Sequence, residues 1–357
     1  MQLKILKTGF EFFDLLRVMG TAFIYQFALN ELEGSGEVTI YNIPGFYLID
    51  KIKEIPNADW QNILPKAKGF LLKGNKNSLE ESFEVIIQNI GRLADIPDPF
   101  SDDEKRLLGE KTLEGILDIC AIQGHRNLTK CQKYKFGDPL KVDKLNWAFC
   151  NIGARVMLKR FSLGKGKQVI IIFEPRKLVF NNFYEINSLL DDSIKLKRYP
   201  TALIASVYVA LIVAKTLYEH KEALENVTLN SIFYSILTGK KAGGGGKIDF
   251  KLLNNLIQSK PDLLEHWKKI MEHCFSILKS PKKGKQNVFE TVDSLAHFIA
   301  SPSIENWKKH CVFLLRYILS AEEDKKIRKK KTEKSDKEFL RYSKPLIKEV
   351  WRNVEQI

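Results

Sequence analysis

Paired cysteines are missing from this sequence. Its five cysteines show no Cys-x-x-Cys spacing, so neither a zinc knuckle nor a disulfide framework is expected. Nucleotide and peptidase fingerprints are missing too: there is no P-loop, no dinucleotide-binding glycine pattern and no zinc-protease motif. The opening MQLKILKTG lacks a secretory apolar core, from which a cytoplasmic protein is expected. Long apolar runs are scarce. Ala202–Ala214, ALIASVYVALIVA, stops about five residues short of a bilayer span. With Arg198 and Lys215 beside it, the run reads as a buried helix and not as a membrane segment. Acidic residues are outnumbered, 43 Asp and Glu against 57 Lys and Arg, which leaves a formal net charge of +14. Such an excess attracts polyanions or anionic surfaces without specifying a fold. Lys greatly outnumbers Arg, which suits diffuse phosphate attraction better than bidentate base reading.

What is present is enough apolar residue, 44% of 357, to build a sizeable core without metal or disulfide staples. Phe10–Leu32 spaces its large side chains at three and four residues and predicts a long, largely buried helix that ends at Gly34 and Gly36. Short strands are expected over Val38–Ile43 and Phe46–Ile49, interrupted at Pro44. Gly69–Asn77 reads as a tight basic turn after a strand, and Leu79–Ala94 as a helix. Ser101 and Glu104 form a capping box for a helix from Asp102 to about Gln123. Leu145–Phe161 reads as another helix. QVIIIFEP is the clearest strand, and its consecutive apolar residues predict a covered position. Beyond Tyr199 helices alone are expected: Thr201–His220, Leu224–Leu237, one starting near Asp249, two around Trp267 and Phe289–Ile299, and Ile304–Ala321. The glycine-rich GKKAGGGGK reads as a flexible loop between helices. A charged run over Lys325–Lys331 precedes an amphipathic end containing Phe339, Leu340, Leu346, Ile347, Val350 and Trp351. The expected class is therefore α+β: a mixed α/β region over residues 1–195, then a helical bundle over 196–357.

Catalytic chemistry finds no clear pattern. Cys120, His125, Cys131 and Cys150 are the one N/S set with metal-ligand chemistry, but without paired knuckles they read as buried thiols and a loop histidine; no metal or cofactor is expected. His273–Cys274 and His310–Cys311 are adjacent on helices, where neighbouring side chains diverge, so neither pair forms a dyad. A metal-dependent nuclease needs convergent carboxylates. Asp98, Asp102, Asp103 and Glu104 are explained by a helix start, and Asp191–Asp192 by a polar connection. The chain is read as not an enzyme, with a nuclease as the weaker alternative.

Basic residues supply the candidate contacts. Lys66, Lys68, Lys73 and Lys76 straddle one turn, where Asn75 can read base edges. Arg126, Asn127, Lys130, Lys133 and Lys135 decorate another. Arg155, Lys159 and Arg160 can share a helical face, with Lys165 and Lys167 following. Lys240, Lys241 and Lys247 flank the glycines of Gly243–Gly246 and can touch a backbone. Lys at a phosphate adds affinity, whereas Asn or Lys at a base edge adds specificity.

The opening FFDLLRVMGTAFIYQFAL, residues 12–29, resembles the Asp-Leu-Leu-Arg start of several large subunits of type I CRISPR Cascade complexes. The layout, a basic mixed front, the apolar YPTALIASVYVALIVA and a helical rear, is similar to the shorter archaeal subtype A large subunits. The resemblance implies a noncatalytic subunit. Residues 1–195 would contact CRISPR RNA, target DNA and the backbone and small subunits, and inspect the motif flanking the target. The rear bundle would hold separated DNA strands and recruit a helicase-nuclease. Asp14 and Arg17 match the charged positions of that opening and serve packing or subunit contact. The competing expectation is a structural RNA or protein scaffold that reads no sequence.

Overall fold

In the computed structural model, residues 2–9, 11–33, 36–50, 58–71, 77–93, 96, 111–112, 141–157, 159–164, 166–182, 186, 199–222, 224, 226–238, 241–278 and 286–328 are described. The class is α+β, an antiparallel sheet with helices in the front part and helices at the rear. The chain divides into two compact units. The first comprises residues 1–160, 165–188 and 222–246, and the second residues 161–164, 189–221 and 247–357.

In chain order the first unit holds strand β1 (Leu3–Leu6), helix α1 (Glu11–Glu33), strands β2 (Thr39–Ile43) and β3 (Phe46–Asp50), and helices α2 (Trp60–Leu71) and α3 (Asn77–Gln88). A 3-10 turn at Ile90–Arg92 follows, then the short pair β4 (Lys111–Thr112) and β5 (Lys141–Val142), helix α4 (Lys144–Met157) and the start of β6 (Lys159–Gly164). Strands β7 (Lys167–Val179) and β8 (Thr228–Thr238) and most of β9 (Lys241–Asp249) complete it. The main sheet runs β1-β3-β2-β7-β8-β9. Each register resolved along it is antiparallel, from Leu3 opposite Ile49 to Lys167 opposite Thr238.

Helix α1 is apolar on nearly all sides, which fits a helix enclosed by protein. Phe12, Phe13, Leu15, Leu16, Val18 and Met19 are fully buried. Gln26 secures its exit: the side chain accepts from Val38 N–H at 2.8 Å and donates to the Gly36 carbonyl at 2.6 Å. Pro44 and Gly45 then link β2 to β3 in a two-residue turn. The proline presets one φ, and Gly45 takes φ +85°, a conformation that favours glycine.

Strand β7 lies between β2 and β8, so Val169–Phe173 are covered, as the apolar run predicts. The register slips at Glu174–Pro175, because proline has no N–H for the ladder and produces a bulge.

Two expectations fail beside it. Leu224–Leu237 is not a helix: Thr228–Thr238 is β8, rich in β-branched and aromatic residues, with Leu229, Ser231, Phe233 and Ser235 buried along one period-two face. GKKAGGGGK is not a loop between helices, since Lys241–Asp249 is β9. Its glycines permit a close approach: a Cβ on Gly245 would lie 2.4 Å from the Tyr234 carbonyl oxygen. The expected helical run over 196–357 is therefore interrupted by a hairpin, most of which belongs to the first unit.

The second unit contains α5 (Ala202–Glu219), α6 (Lys251–Ser259), α7 (Asp262–Leu278), α8 (Gln286–Ala300) and α9 (Ile304–Arg328). Thr201 caps α5 by accepting from Ile204 N–H at 3.2 Å. Around α5 pack α6, α7 and α8. Tyr199, Tyr208 and Phe275 meet edge to face or tilted, and Phe298 lies between Trp267 and Trp307. Lys215 pairs with Glu219 at 2.6 Å and Glu265 at 3.4 Å, so the charge that ends the apolar run ties α5 to α7.

Among the described residues, two helices are long and apolar enough to cross a membrane by length and composition. The expectation that the apolar stretch falls short is corrected, because α5 extends to Glu219. Within the structure 94% of the α1 window and 78% of the α5 window are buried, as in the core helices of a folded domain.

Candidate nucleic-acid interface

The residues of the opening motif meet inside the first unit. Asp14 and Arg17 are each 1% exposed. Asp14 accepts from Thr8 N–H at 2.8 Å, Thr8 Oγ1 at 2.9 Å and Gly9 N–H at 3.2 Å, and pairs with Arg17 at 3.1 Å. Arg17 continues to Asn146 Oδ1 at 3.0 Å and to the Leu6 carbonyl, with its guanidinium 5.2 Å from the Phe13 ring centre. Burial pushes the Asp14 carboxyl above its ordinary range, against the opposing pull of Arg17, Thr8 and Gly9. This pair joins β1, α1 and α4, and its burial leaves neither residue facing an external partner.

Beside that network, Asn42 donates to Glu174 Oε1 at 3.0 Å, Ser231 donates to Glu174 Oε2, and Lys7 donates to Asn42. The links cross β2, β7 and β8 and satisfy a carboxylate that is 7% exposed. Sequence pattern alone does not single out this network, because its members lie far apart in the chain.

The basic candidates are distributed differently from expectation. Lys66 and Lys68 lie on helix α2 and not on the strand expected before the basic turn, with Ile63, Leu64, Ala67 and Leu71 forming the buried side; residues 72–76 of that turn lie outside the described residues. Lys66 pairs with Glu31. Arg155, Lys159 and Arg160 do not share one helix: α4 ends at Met157 and β6 begins at Lys159. Arg155 and Arg160 nevertheless act on each other. Arg160 is held below the ordinary arginine range by partial desolvation and then by the positive charge of Arg155. Arg155 Nε donates to the Leu71 carbonyl at the end of α2, 3.3 Å away. Arg155 therefore lies at the C-terminal end of α2, which bears Lys68.

Lys167 is exposed at the start of β7, and Lys247 is exposed in the part of β9 that belongs to the second unit. Lys241 opens β9, and its side chain is outside the description. Lys73, Asn75, Lys76, Arg126, Asn127, Lys130, Lys133, Lys135, Lys165 and Lys240 lie outside the described residues. So do Cys120, His125, Cys131, Asp191 and Asp192. The helix expected from Asp102 to about Gln123 is interrupted, because Lys111–Thr112 is strand β4 paired with β5; the rest of that range lies outside the described residues.

Among the described residues no group of three His, Cys, Asp or Glu is placed to hold a metal. Cys150 is fully buried near Arg17 and Asp14, and burial raises its thiol well above the ordinary range. His273 bonds Tyr317 at 2.8 Å, while His310 lies buried with Nδ1 3.2 Å from Ser294 Oγ. Each adjacent His–Cys pair thus looks into packed helices.

One residue that the basic pattern did not single out is Phe70, which is 57% exposed on α2. Its ring sits on Phe23, with centroids 6.2 Å apart and planes 28° apart, and lies 6.1 Å from Phe27. The helical period places Phe70 seven residues after Ile63 and three after Ala67, at the edge of the buried stripe, where its ring packs on α1 and stays partly exposed. Comparison of the chain with protein-family models and with curated proteins gives no match.

Proposed function

We propose that this chain is the noncatalytic large subunit of a CRISPR-guided DNA surveillance complex, working in the cytoplasm. It holds CRISPR RNA and target DNA, inspects the motif flanking the target, stabilises displaced DNA, and binds the backbone and small subunits and a helicase-nuclease. The single observation that carries nucleic-acid holding is the net charge of +14, with Lys66, Arg155, Arg160 and Lys167 of the first unit exposed. Such a charge excess attracts a polyanion, and phosphate accepts from the planar arginine fork. The assignment to this complex rests on the Asp14–Arg17 opening and the arrangement of mixed front and helical rear.

The test is binding of purified protein, alone and together with its genomic-neighbour proteins and co-purified RNA, to duplexes with a randomised flanking motif over a salt series. Motif preference that sharpens in the assembly, with affinity falling as salt rises, is the expected result. Absent or salt-independent binding in every assembly overturns the proposal.

A structural scaffold without sequence reading is the second reading, and α9 favours it. Ile304, Val312, Leu315 and Leu319 are exposed at helical spacing beside exposed Lys308, Lys309 and Arg316. An apolar line of that kind suits contact with another protein. Equal binding to all duplexes selects this reading.

A further inference from the structure

Helix α9 carries large apolar side chains on two opposite sides. Trp307, His310, Leu314 and Ile318 are buried on the side that meets Ser294 and Phe298 of α8. On the outer side Ile304, Val312, Leu315 and Leu319 are between 43% and 57% exposed. Single exposed aliphatics need no explanation, but a line of them at one helical period does. The spacing is that of a coiled-coil seam: Val312, Leu315 and Leu319 follow one another by three and then four residues, and Lys308, four residues before Val312, extends the line with its methylene stem. Lys309 and Arg316 each come one residue after a seam position and lie seven residues apart, so they form a positive row along one flank. The other flank, Cys311 and Ile318, is buried in the second unit, which leaves one flank for charge pairing. Arg316 lies 5.7 Å from the Phe313 ring centre, a neighbour that orients the guanidinium without neutralising it. Among the described residues none of Lys308, Lys309 and Arg316 is in an ion pair. The seam ends at Leu319, since its next position is Glu322.

We propose that the outer face of α9 docks an amphipathic helix of a partner protein, whose apolar seam packs on Val312, Leu315 and Leu319 and whose acidic flank pairs with Lys309 and Arg316. This rests on the protein-contact reading of α9 given above and adds to it the partner's secondary structure and the sign of its charge. A helix of about four turns covers the line from Ile304 to Leu319. A second copy of this chain fits poorly, because it brings its own net charge of +14 to a seam whose flank is already positive. An anionic bilayer takes up a broad apolar face, whereas this line is narrow and bordered by cations, a width that fits between the side chains of a facing helix.

The test uses the full chain and two fluorescein-labelled helical peptides of about three heptads with the same leucine seam, one with Glu and one with Lys at its flanking positions. Wild type is compared with Leu315→Glu/Leu319→Glu and Lys309→Glu/Arg316→Glu, each checked by thermal melting. Wild type is expected to bind the Glu peptide about tenfold or more tightly than the Lys peptide, by a margin that shrinks as salt rises. Leu315→Glu/Leu319→Glu loses the Glu peptide by about tenfold or more, and Lys309→Glu/Arg316→Glu reverses the order of the two peptides. The same variants are then co-purified with the genomic-neighbour proteins. A neighbour lost from Leu315→Glu/Leu319→Glu but retained by Lys309→Glu/Arg316→Glu, with the two peptides bound equally, keeps the contact reading and overturns the acidic partner. Peptides and neighbours that are indifferent to both variants overturn the contact reading as well. Three other occupants each overturn the proposal by their own signature. A dimer of wild type in sedimentation that Leu315→Glu/Leu319→Glu dissolves identifies a second copy. Anionic vesicles that bind wild type and displace the Glu peptide identify a membrane surface. A melting temperature that Leu315→Glu/Leu319→Glu lowers by more than a few degrees shows the seam covered by this chain itself.

Discussion

Gly20 of α1 and Gly153 of α4 face each other at van der Waals contact of their backbones. A Cβ on Gly20 would sit 1.9 Å from the Phe149 carbonyl oxygen and 2.8 Å from Gly153 N, and one on Gly153 would sit 1.8 Å from the Leu16 carbonyl oxygen. Both obstacles are backbone atoms, so neither can swing aside. Either Gly→Ala substitution must push the helices apart and loosen the Leu16, Phe149 and Ile152 packing around them. Gly20→Ala and Gly153→Ala are each expected to destabilise the first unit by about 3 kcal/mol or more. The double variant should cost less than the sum, because the second methyl enters a crossing already opened. Urea unfolding of the three variants checks this.

Arg17 lies one turn before Gly20 and shares the same buried setting. Replacing it with Met removes the partner of a carboxylate that has no route to water, together with the bond to Asn146. A loss of about 3–5 kcal/mol is expected. If Arg17→Met instead folds normally and fails to assemble with partner proteins, the motif acts at a subunit surface and its burial is incidental. Denaturant melts and co-purification separate the two results.

Glu174 makes a comparable prediction for the sheet. Glu174→Ala strands the donors of Asn42 and Ser231 between β2 and β8, at a cost of about 1–3 kcal/mol. Glu174→Gln, which keeps a carbonyl acceptor, should recover part of that loss in the same thermal melts.

His310 supplies a pH dependence in the second unit. Burial holds the imidazole down at about 4 against its ordinary 6.5, because its charged form has no water beside it. A depressed pKa means that the unfolded chain takes up the proton first. Stability from this group is fully present above about pH 6.5 and falls as the pH drops toward 4. The linked loss is about 3 kcal/mol at most. His310→Gln should flatten this part of the stability curve, measured by urea unfolding between pH 7 and pH 4.

Gly245 distinguishes a strand from a loose tip. In a flexible loop Gly245→Ala would be neutral, but its methyl would press on the Tyr234 carbonyl oxygen of β8. A destabilisation of about 1–3 kcal/mol is expected, with hydrogen exchange accelerated along Thr228–Ser235.

Periodic apolar patterns determined much of the fold in advance. The three- and four-residue spacing of Phe12 through Leu29 specified α1, the run at Ile170–Phe173 specified a covered strand, and α5, α7, α8 and α9 followed from similar regularity. Such elements are legible because burial of one face is a local property of the sequence. Gly243–Gly246 and Leu224–Leu237 were not, since a glycine run has the same look in a loop as in a strand pressed against its neighbour. Only the pairing of β9 with β8 decides between them. Of the candidate contacts, the excess of positive charge and the individual lysines and arginines were visible in the sequence. Which groups they meet was not: Arg155 reaches the Leu71 carbonyl and Lys66 pairs with Glu31 across long stretches of chain. Charge is counted along a chain, whereas proximity and exposure arise only when distant segments pack, and that is where the tertiary structure decided.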